Sequence, residues 1–262
     1  MSPRQDRPGQ AAERRFLLAP FDVRTTRRVH FADGDAQHAR VVLRMVAGDT
    51  CIGIDGAGHA WPLLLTRVEK RGVEAELAGP AVSEPAPGAL GAALPWIEVA
   101  VAMPRASHAE EMIDSLVQLG AAALVPLVCE RSQAAARFEG AGRRERWHRI
   151  SSEACKQSGR LWNLQISDAL SIEALAQRGP ATWVRCDPRA STADLGPLDA
   201  ARCDRAHPLV LLIGPEGGFT PAEELRLDAA GAHAIRLGPH ILRTETAAVA
   251  ALAVLVARLQ QP

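Results

Sequence analysis

No apolar run among the 262 residues approaches the roughly 18 residues of a membrane span. Met1 to Gln10 are polar and contain proline, without the apolar core of a secretion signal. These two absences predict a soluble, cytoplasmic protein. The cysteines, Cys51, Cys129, Cys155, Cys186 and Cys203, contain no C-x-x-C pair, which argues against a disulfide framework and a zinc site. They read as ordinary thiols in a reducing compartment. No His/Asp/Glu cluster has ligand spacing, so no metal is expected. Lysine is nearly absent: only Lys70 and Lys156 occur, and the remaining basic charge is arginine. Two phosphate-binding patterns are missing as well. There is no G-x-G-x-x-G of a dinucleotide-binding unit and no G-x-x-x-x-G-K-[ST] loop.

The formal net charge is zero, but it is unevenly spread. Residues 131–160 carry Arg131, Arg137, Arg143, Arg144, Arg146, Arg149, Lys156 and Arg160 against Glu139, Glu145 and Glu153. Arginine suits bidentate phosphate contacts and stacking on bases. A solvated helix face in a chain from a GC-rich genome fits the same run.

With 47% hydrophobic residues the chain can bury a core. Its first part reads as β-rich: a strand at Phe16–Leu18, a short helix at His38–Met45, a strand at Thr50–Ile54 ending in the Asp55-Gly56 turn, and strands at Trp61–Glu69 and Gly72–Leu77. Gly79-Pro80, Pro85, Pro87-Gly88 and Gly91 then crowd together, which places a linker at 81–93 between domains 1–80 and 94–262. Beyond it, apolar strands (Ile97–Met103, Ala123–Cys129, Thr182–Cys186, Leu209–Ile213, Ala234–Leu237) alternate with helical stretches. The helices are Ser107–Leu119, with Ser107 and Glu110 as a capping box, Arg143–Gln157, one beginning at Thr220-Pro221-Ala222-Glu223, and Thr246–Leu259. This alternation predicts an α/β domain on a mostly parallel sheet.

Two glycine-containing loops follow strands and open helices: Leu211 to Phe219, with Gly214-Pro215-Glu216-Gly217-Gly218, and Leu237 to Ala248, with Gly238-Pro239 and Leu242-Arg243-Thr244-Glu245-Thr246. Loops at the carboxyl ends of parallel strands wall the ligand crevice of open α/β sheets. Each taken singly also fits a tight turn with no ligand, and Arg243 and Glu245 a cap with a surface ion pair. Glu153 to Arg160, at the end of the basic helix, fits ordinary helix capping.

Taken together and in this order, these segments, with Pro126–Ser132 and Arg40–Gly48, resemble the RsmE family, bacterial 16S ribosomal RNA uridine-N3 methyltransferases of the SPOUT superfamily. The resemblance covers nearly the whole chain. It implies a PUA-like RNA-binding barrel followed by an α/β SPOUT domain with a trefoil knot at its C-terminal end, which no periodicity reveals. It implies S-adenosyl-L-methionine as cofactor, held by Leu212, Gly214, Pro215, Glu216, Gly217, Gly218, Leu237, Gly238, Ile241, Leu242 and Thr246. It also implies a homodimer, consistent with the apolar C-terminal helix, and 16S rRNA in the small ribosomal subunit as partner. Arg15, Arg40, Arg44, Arg143, Arg144, Arg146 and Arg149 are the expected RNA contacts.

Methylation at N3 of uracil leaves negative charge on the ring carbonyls once the proton departs, and arginine stabilises such charge. Arg160, Arg131 and Arg243 are the candidates, with Glu130 or Glu245 to orient an arginine or take the proton. One departure from the family stands out: Ser115 and Gln118, before Leu119-Gly120, occupy positions usually held by lysine and glutamate. Two alternatives share the fold, a SPOUT enzyme acting on a ribose 2′-hydroxyl and a non-catalytic RNA-binding protein. A nucleotide phosphate-binding enzyme is disfavoured, because neither loop contains lysine.

Overall fold

The computed structural model describes residues 14–132, 141–191 and 202–260. Met1 to Gln10, Arg137 and Glu139 lie outside the described residues. The chain divides into two compact units, Met1–Ser83 and Glu84–Pro262.

The first unit is built on β1 (Arg15–Leu17), β2 (Arg28–His30), β3 (Thr50–Ile54), β4 (His59–Glu69), β5 (Gly72–Leu77) and β6 (Val82–Ser83). Their order is β1-β3-β4-β5-β2, with β6 also on β4. An antiparallel bridge from Leu18 to Phe31 joins the two ends of that order. Alternation along the strands sends Phe16, Val29, Leu63, Leu65, Val73 and Ala75 into one core, where Phe16 and Phe31 stack with centroids 4.6 Å apart. The β3–β4 hairpin forms where Asp55-Gly56 stands: Oδ1 of Asp55 accepts from the backbone N–H groups of Ala57 and His59 at 2.7 and 3.0 Å. The expected helix at His38–Met45 is instead α1 (Asp33–Gln37) running into a π-helical turn, His38–Val42.

The second unit contains β7 (Ile97–Val101), α2 (Ala106–Gln118), β8 (Ala123–Val128), α3 (Ala141–Ser158), β9 (Gln165–Ile166), β10 (Leu170–Ser171), α4 (Ile172–Ala176), β11 (Thr182–Cys186), β12 (Leu209–Ile213), α5 (Pro221–Ala229), β13 (His233–Ile235) and α6 (Thr244–Leu259). All its strand pairs are parallel, in the order β10-β8-β7-β12-β11-β13, with β9 also on β8. An α/β fold on a parallel sheet is what the strand–helix alternation predicted. Strand β12 is buried along its whole length, and Val210 and Leu212 pack with Trp183, Leu175, Phe219 and Leu227. Helix α6 packs on β7, β12 and α2. Among the described residues no helix is long and apolar enough to cross a membrane.

Helix α3 begins two residues before the expected Arg143, and two further helix starts differ from expectation. Ser107 does not cap α2; the helix begins at Ala106 after an extended Arg105, without a side-chain cap. Glu110 pairs instead with Arg146 of α3, at 2.7 Å. Helix α6 begins two residues earlier than read, at Thr244. The start of α5 is as expected: Thr220 and Glu223 form a full capping box with Pro221 in the first turn.

Glu223 does more than cap. Its side chain is buried, with Oε2 accepting from the N–H of Thr220 at 2.8 Å and Oε1 from the N–H of Glu130 at 2.9 Å. It thereby ties the end of β8 to the start of α5. Glu223→Ala strands both donors, so we expect a loss of about 2–3 kcal/mol in chemical unfolding, against about 1 kcal/mol for Thr220→Ala, which removes only the cap. Equal losses would mean that the bond to Glu130 contributes nothing.

Candidate active site

The strand register sets the site. Val101 pairs with Ile213, Ile213 with Cys186, and Cys186 with Ile235, so β7, β12, β11 and β13 end in one level row. The loops leaving that edge of β11, β12 and β13 enclose a cleft of about 510 Å³. Its walls are Cys186 to Arg189 from the first loop, Ile213 to Phe219 from the second, and Arg236 to Gly238 with His240 to Thr244 from the third. Arg131, Glu224 and Ala247 complete it.

The loops are cross-linked. Nη1 of Arg131 donates to the carbonyls of Gly217 at 3.0 Å and Phe219 at 3.3 Å. Oγ1 of Thr244 donates to the carbonyl of Gly214 at 3.4 Å, joining the start of α6 to the glycine loop. Gly218 has φ +69°, a left-handed conformation natural to glycine. Beside it, a Cβ on Gly217 would meet the stem of Arg131 at 3.4 Å.

The β11 loop forms a charged wall that no motif announced. Arg189 pairs with Asp187 at 3.1 Å and also with Glu224 of α5. Buried Arg185 pairs with Asp228 at 3.2 Å and lies 4.0 Å from Asp187. Burial pushes the Asp187 carboxyl up, but hydrogen bonds from the Arg189 side chain and backbone, with the charges of Arg189 and Arg185, outweigh it and hold the group below its usual value. Burial pushes the neighbouring Cys186 thiol up to about 12, so it stays protonated. The signal available in the sequence was only that Cys186-Asp187-Pro188-Arg189 follows a strand.

Of the expected cofactor residues, Gly214, Pro215, Glu216, Gly217, Gly218, Leu237, Gly238, Ile241 and Leu242 line the cleft. Leu212 points into the core from β12, and Thr246 is exposed on the first turn of α6. Of the expected catalytic residues, Arg131 and Arg243 reach the cleft. Glu245 pairs with His108 of α2, at 3.2 Å. Glu130 is tied to Glu223 through its backbone. Arg160 lies elsewhere. Helix α2 leaves the carboxyl end of β7 and returns to the amino end of β8, and there Nη1 of Arg160 donates to the carbonyl of Val117 at 3.0 Å. Burial there pulls its pKa below the ordinary value. The structure therefore sets Arg160 at the sheet edge opposite the cleft of its own chain.

Ser115 and Gln118 sit on the same stretch of α2. Ser115 Oγ donates to the carbonyl of Glu111 at 2.9 Å, and Gln118 Nε2 donates to Asp114 at 2.6 Å. Both are satisfied within the helix, away from the cleft. On α3, Arg144 pairs with Asp168 and Arg146 with Glu110, while Arg143 and Arg149 make no ion pair with a described residue. No group of three or more His, Cys, Asp or Glu side chains that could hold a metal ion occurs among the described residues.

Residues 92–256 match the RNA methyltransferase domain family. Over 249 residues the chain is 31% identical to ribosomal RNA small subunit methyltransferase E of Synechocystis sp., covering 94% of this chain and 78% of the relative. It is 31% identical to the protein of that name from Mycobacterium bovis, covering 87% of this chain and 86% of the relative. A solved structure of ribosomal RNA small subunit methyltransferase E from Neisseria gonorrhoeae, bound to S-adenosyl methionine, superposes with a TM-score of 0.76 at 28% identity, covering 94% of this chain and 98% of that one.

The Arg131–Gly217 contact generates a size test. Gly217→Ala adds a methyl group at ordinary contact distance, and we expect a thermal midpoint within about 1 °C of the parent. Gly217→Val must displace the arginine stem, at a cost of about 1–3 kcal/mol. Indistinguishable unfolding curves for the parent and Gly217→Val would mean that Arg131 does not brace the loop.

Proposed function

The chain belongs to the family of ribosomal RNA small subunit methyltransferase E, and on that premise we propose that it transfers a methyl group from S-adenosylmethionine to N3 of one uridine in 16S ribosomal RNA of the small subunit. The carrying observation is a cleft of about 510 Å³ walled by three loops at one sheet edge, in a chain similar to a structure bound to S-adenosyl methionine. Sites for small organic ligands run from about 300 to 1,000 Å³ and combine apolar walls with a few polar groups.

The residues present fit the cofactor. Ile213, Leu237 and Leu242 offer apolar surface for an adenine ring, the backbone of the two glycine loops offers donors and acceptors, and Asp187 offers a carboxylate for hydroxyl or ammonium groups. When bound, the cofactor supplies an electrophilic methyl group on a sulfonium. The chain's own part is to fix the uracil in line and to hold charge. Placement of this kind supplies much of the rate of a bimolecular transfer. As N3 loses its proton, Arg243 and the donors of Arg131 not spent on the glycine loop hold the negative carbonyl oxygens. Glu216 lines the cleft without an arginine partner among the described residues, unlike Asp187 and Glu224, and is the carboxylate free to take the proton.

The finer architecture belongs to the same reading. The first unit is a PUA-like RNA-binding barrel, supported by the bridge that joins the ends of its strand order. Residues 81–93 join the two parts, with β6 (Val82–Ser83) on the barrel side, and a SPOUT domain with a C-terminal knot follows. The knot is supported by the route of the chain: it passes from β11 inward to β12, outward to β13 beyond β11, and back inward to α6 on β7 and β12. A homodimer is supported by α6, which is apolar on its outer side as well, with Val254 48% exposed. In such a dimer each site is completed by the partner subunit, and Arg160 is our candidate for that contribution. The RNA contacts are Arg143 and Arg149, with Arg144, Arg146 and, in the first unit, Arg15, Arg40 and Arg44. The ribosomal substrate places the protein in the cytoplasm.

The test is deletion of the gene, followed by primer extension and nucleoside mass spectrometry on 16S rRNA. N3-methylation blocks the Watson–Crick edge, so the parent strain gives one strong stop that the deletion strain loses together with N3-methyluridine. Loss of a ribose-methylated nucleoside instead would assign the chain to 2′-O chemistry, and an unchanged nucleoside profile would leave only RNA binding.

A further inference from the structure

Arg189 lines the cleft, yet its guanidinium is already engaged. Nε and Nη2 donate to the two oxygens of Asp187 at 3.1 and 3.2 Å, and Nη2 also donates to Oε1 of Glu224. Hydrogen bonds to these two carboxylates push the Arg189 pKa above the ordinary arginine value, so the group stays charged. Asp187 is occupied by the same contacts: Oδ1 accepts from the N–H of Arg189 at 2.9 Å as well as from Nε, and Oδ2 accepts from Nη2. Buried Arg185 pairs with Asp228 at 3.2 Å and stands 4.0 Å from Asp187. The wall therefore runs Asp228, Arg185, Asp187, Arg189, Glu224, three carboxylates to two guanidiniums.

Glu224 is the open end of this wall. It lies in the first turn of α5, where the helix dipole favours a carboxylate. It lines the cleft, and its Oε2 accepts from no described residue. An anion brought here would meet excess negative charge, whereas a cation is attracted. The other charged groups of the lining are mostly basic: Arg131, Arg236 and Arg243 with Glu216. Charge divided in this way orients a ligand that carries both signs. The amino-acid part of S-adenosylmethionine does so, with an ammonium and a carboxylate on one carbon. The ammonium also brings three N–H donors, for which Oε2 of Glu224 is an open acceptor.

We propose that Glu224 seats the ammonium group of the cofactor's amino-acid part. This deepens, and rests on, the reading of the cleft as the S-adenosylmethionine site. The test is calorimetric titration of the full chain with S-adenosylhomocysteine and with its analogue lacking the α-amino group. The parent should bind S-adenosylhomocysteine about tenfold more tightly than the analogue, the fold-change of one hydrogen bond to a charged group. Glu224→Gln keeps the shape of the side chain and removes its charge, so it should bind the two ligands alike. Its thermal midpoint should stay within about 2 °C of the parent, because an ion pair to a side chain as exposed as Arg189 contributes little. A tenfold preference retained in Glu224→Gln overturns the proposal, whether or not both ligands bind more weakly. So does a parent that binds the two ligands equally. A parent that binds neither would instead overturn the reading of the cleft as a cofactor site.

Discussion

The cleft depends on hydrogen bonds between loops that leave strands far apart in sequence. Arg131, just after β8, holds the carbonyls of Gly217 and Phe219. Glu223, at the start of α5, holds the N–H of Glu130. Thr244, at the start of α6, reaches the carbonyl of Gly214. Each bond contributes on the order of 1 kcal/mol in isolation. Together they fix the glycine loop from both sides, so its backbone groups are in place before any ligand arrives. Pre-organisation of this kind lowers the ordering cost of binding.

The level row of strand ends explains why these loops can meet. Because Val101, Ile213, Cys186 and Ile235 share one register line, four connections emerge together. Insertion of β12 between β7 and β11 brings the second and third loops against the first. The opposite sheet edge is held by its own buried pairing. Glu98, on β7, accepts from the Trp96 indole at 3.1 Å and from Arg178 at 2.9 and 3.1 Å. Arg160 and the variant positions Ser115 and Gln118 also lie toward that edge, on or against the end of α2. None of the three lines the cleft of its own chain.

Much of this was legible in the sequence because long, periodic elements announce themselves. Strands β4, β5, β11 and β12 and helix α3 stand within a residue or two of where alternation and charge placed them, and the capping box at Thr220 marked α5. What escaped was short or set by tertiary contact. β9, β10 and α4 are too brief to show a period. Glu110 lies where a capping box would put it, yet it pairs with Arg146 because α3 packs alongside. The two glycine loops were visible as motifs; the third wall, Asp187 to Arg189, was not, because its charges gain meaning only once α5 supplies Glu224. The distance of Arg160 from the cleft follows from helix direction, which a linear motif does not encode.

The central claim is that the loops after β11, β12 and β13 form one pre-organised cofactor site. Hydrogen–deuterium exchange with and without S-adenosylhomocysteine tests it most directly. Slower exchange on ligand addition is expected together in 187–191, 214–219 and 236–243, with β3 to β5 of the first unit unchanged. Protection confined to a single loop, or absent from all of them, would contradict the account.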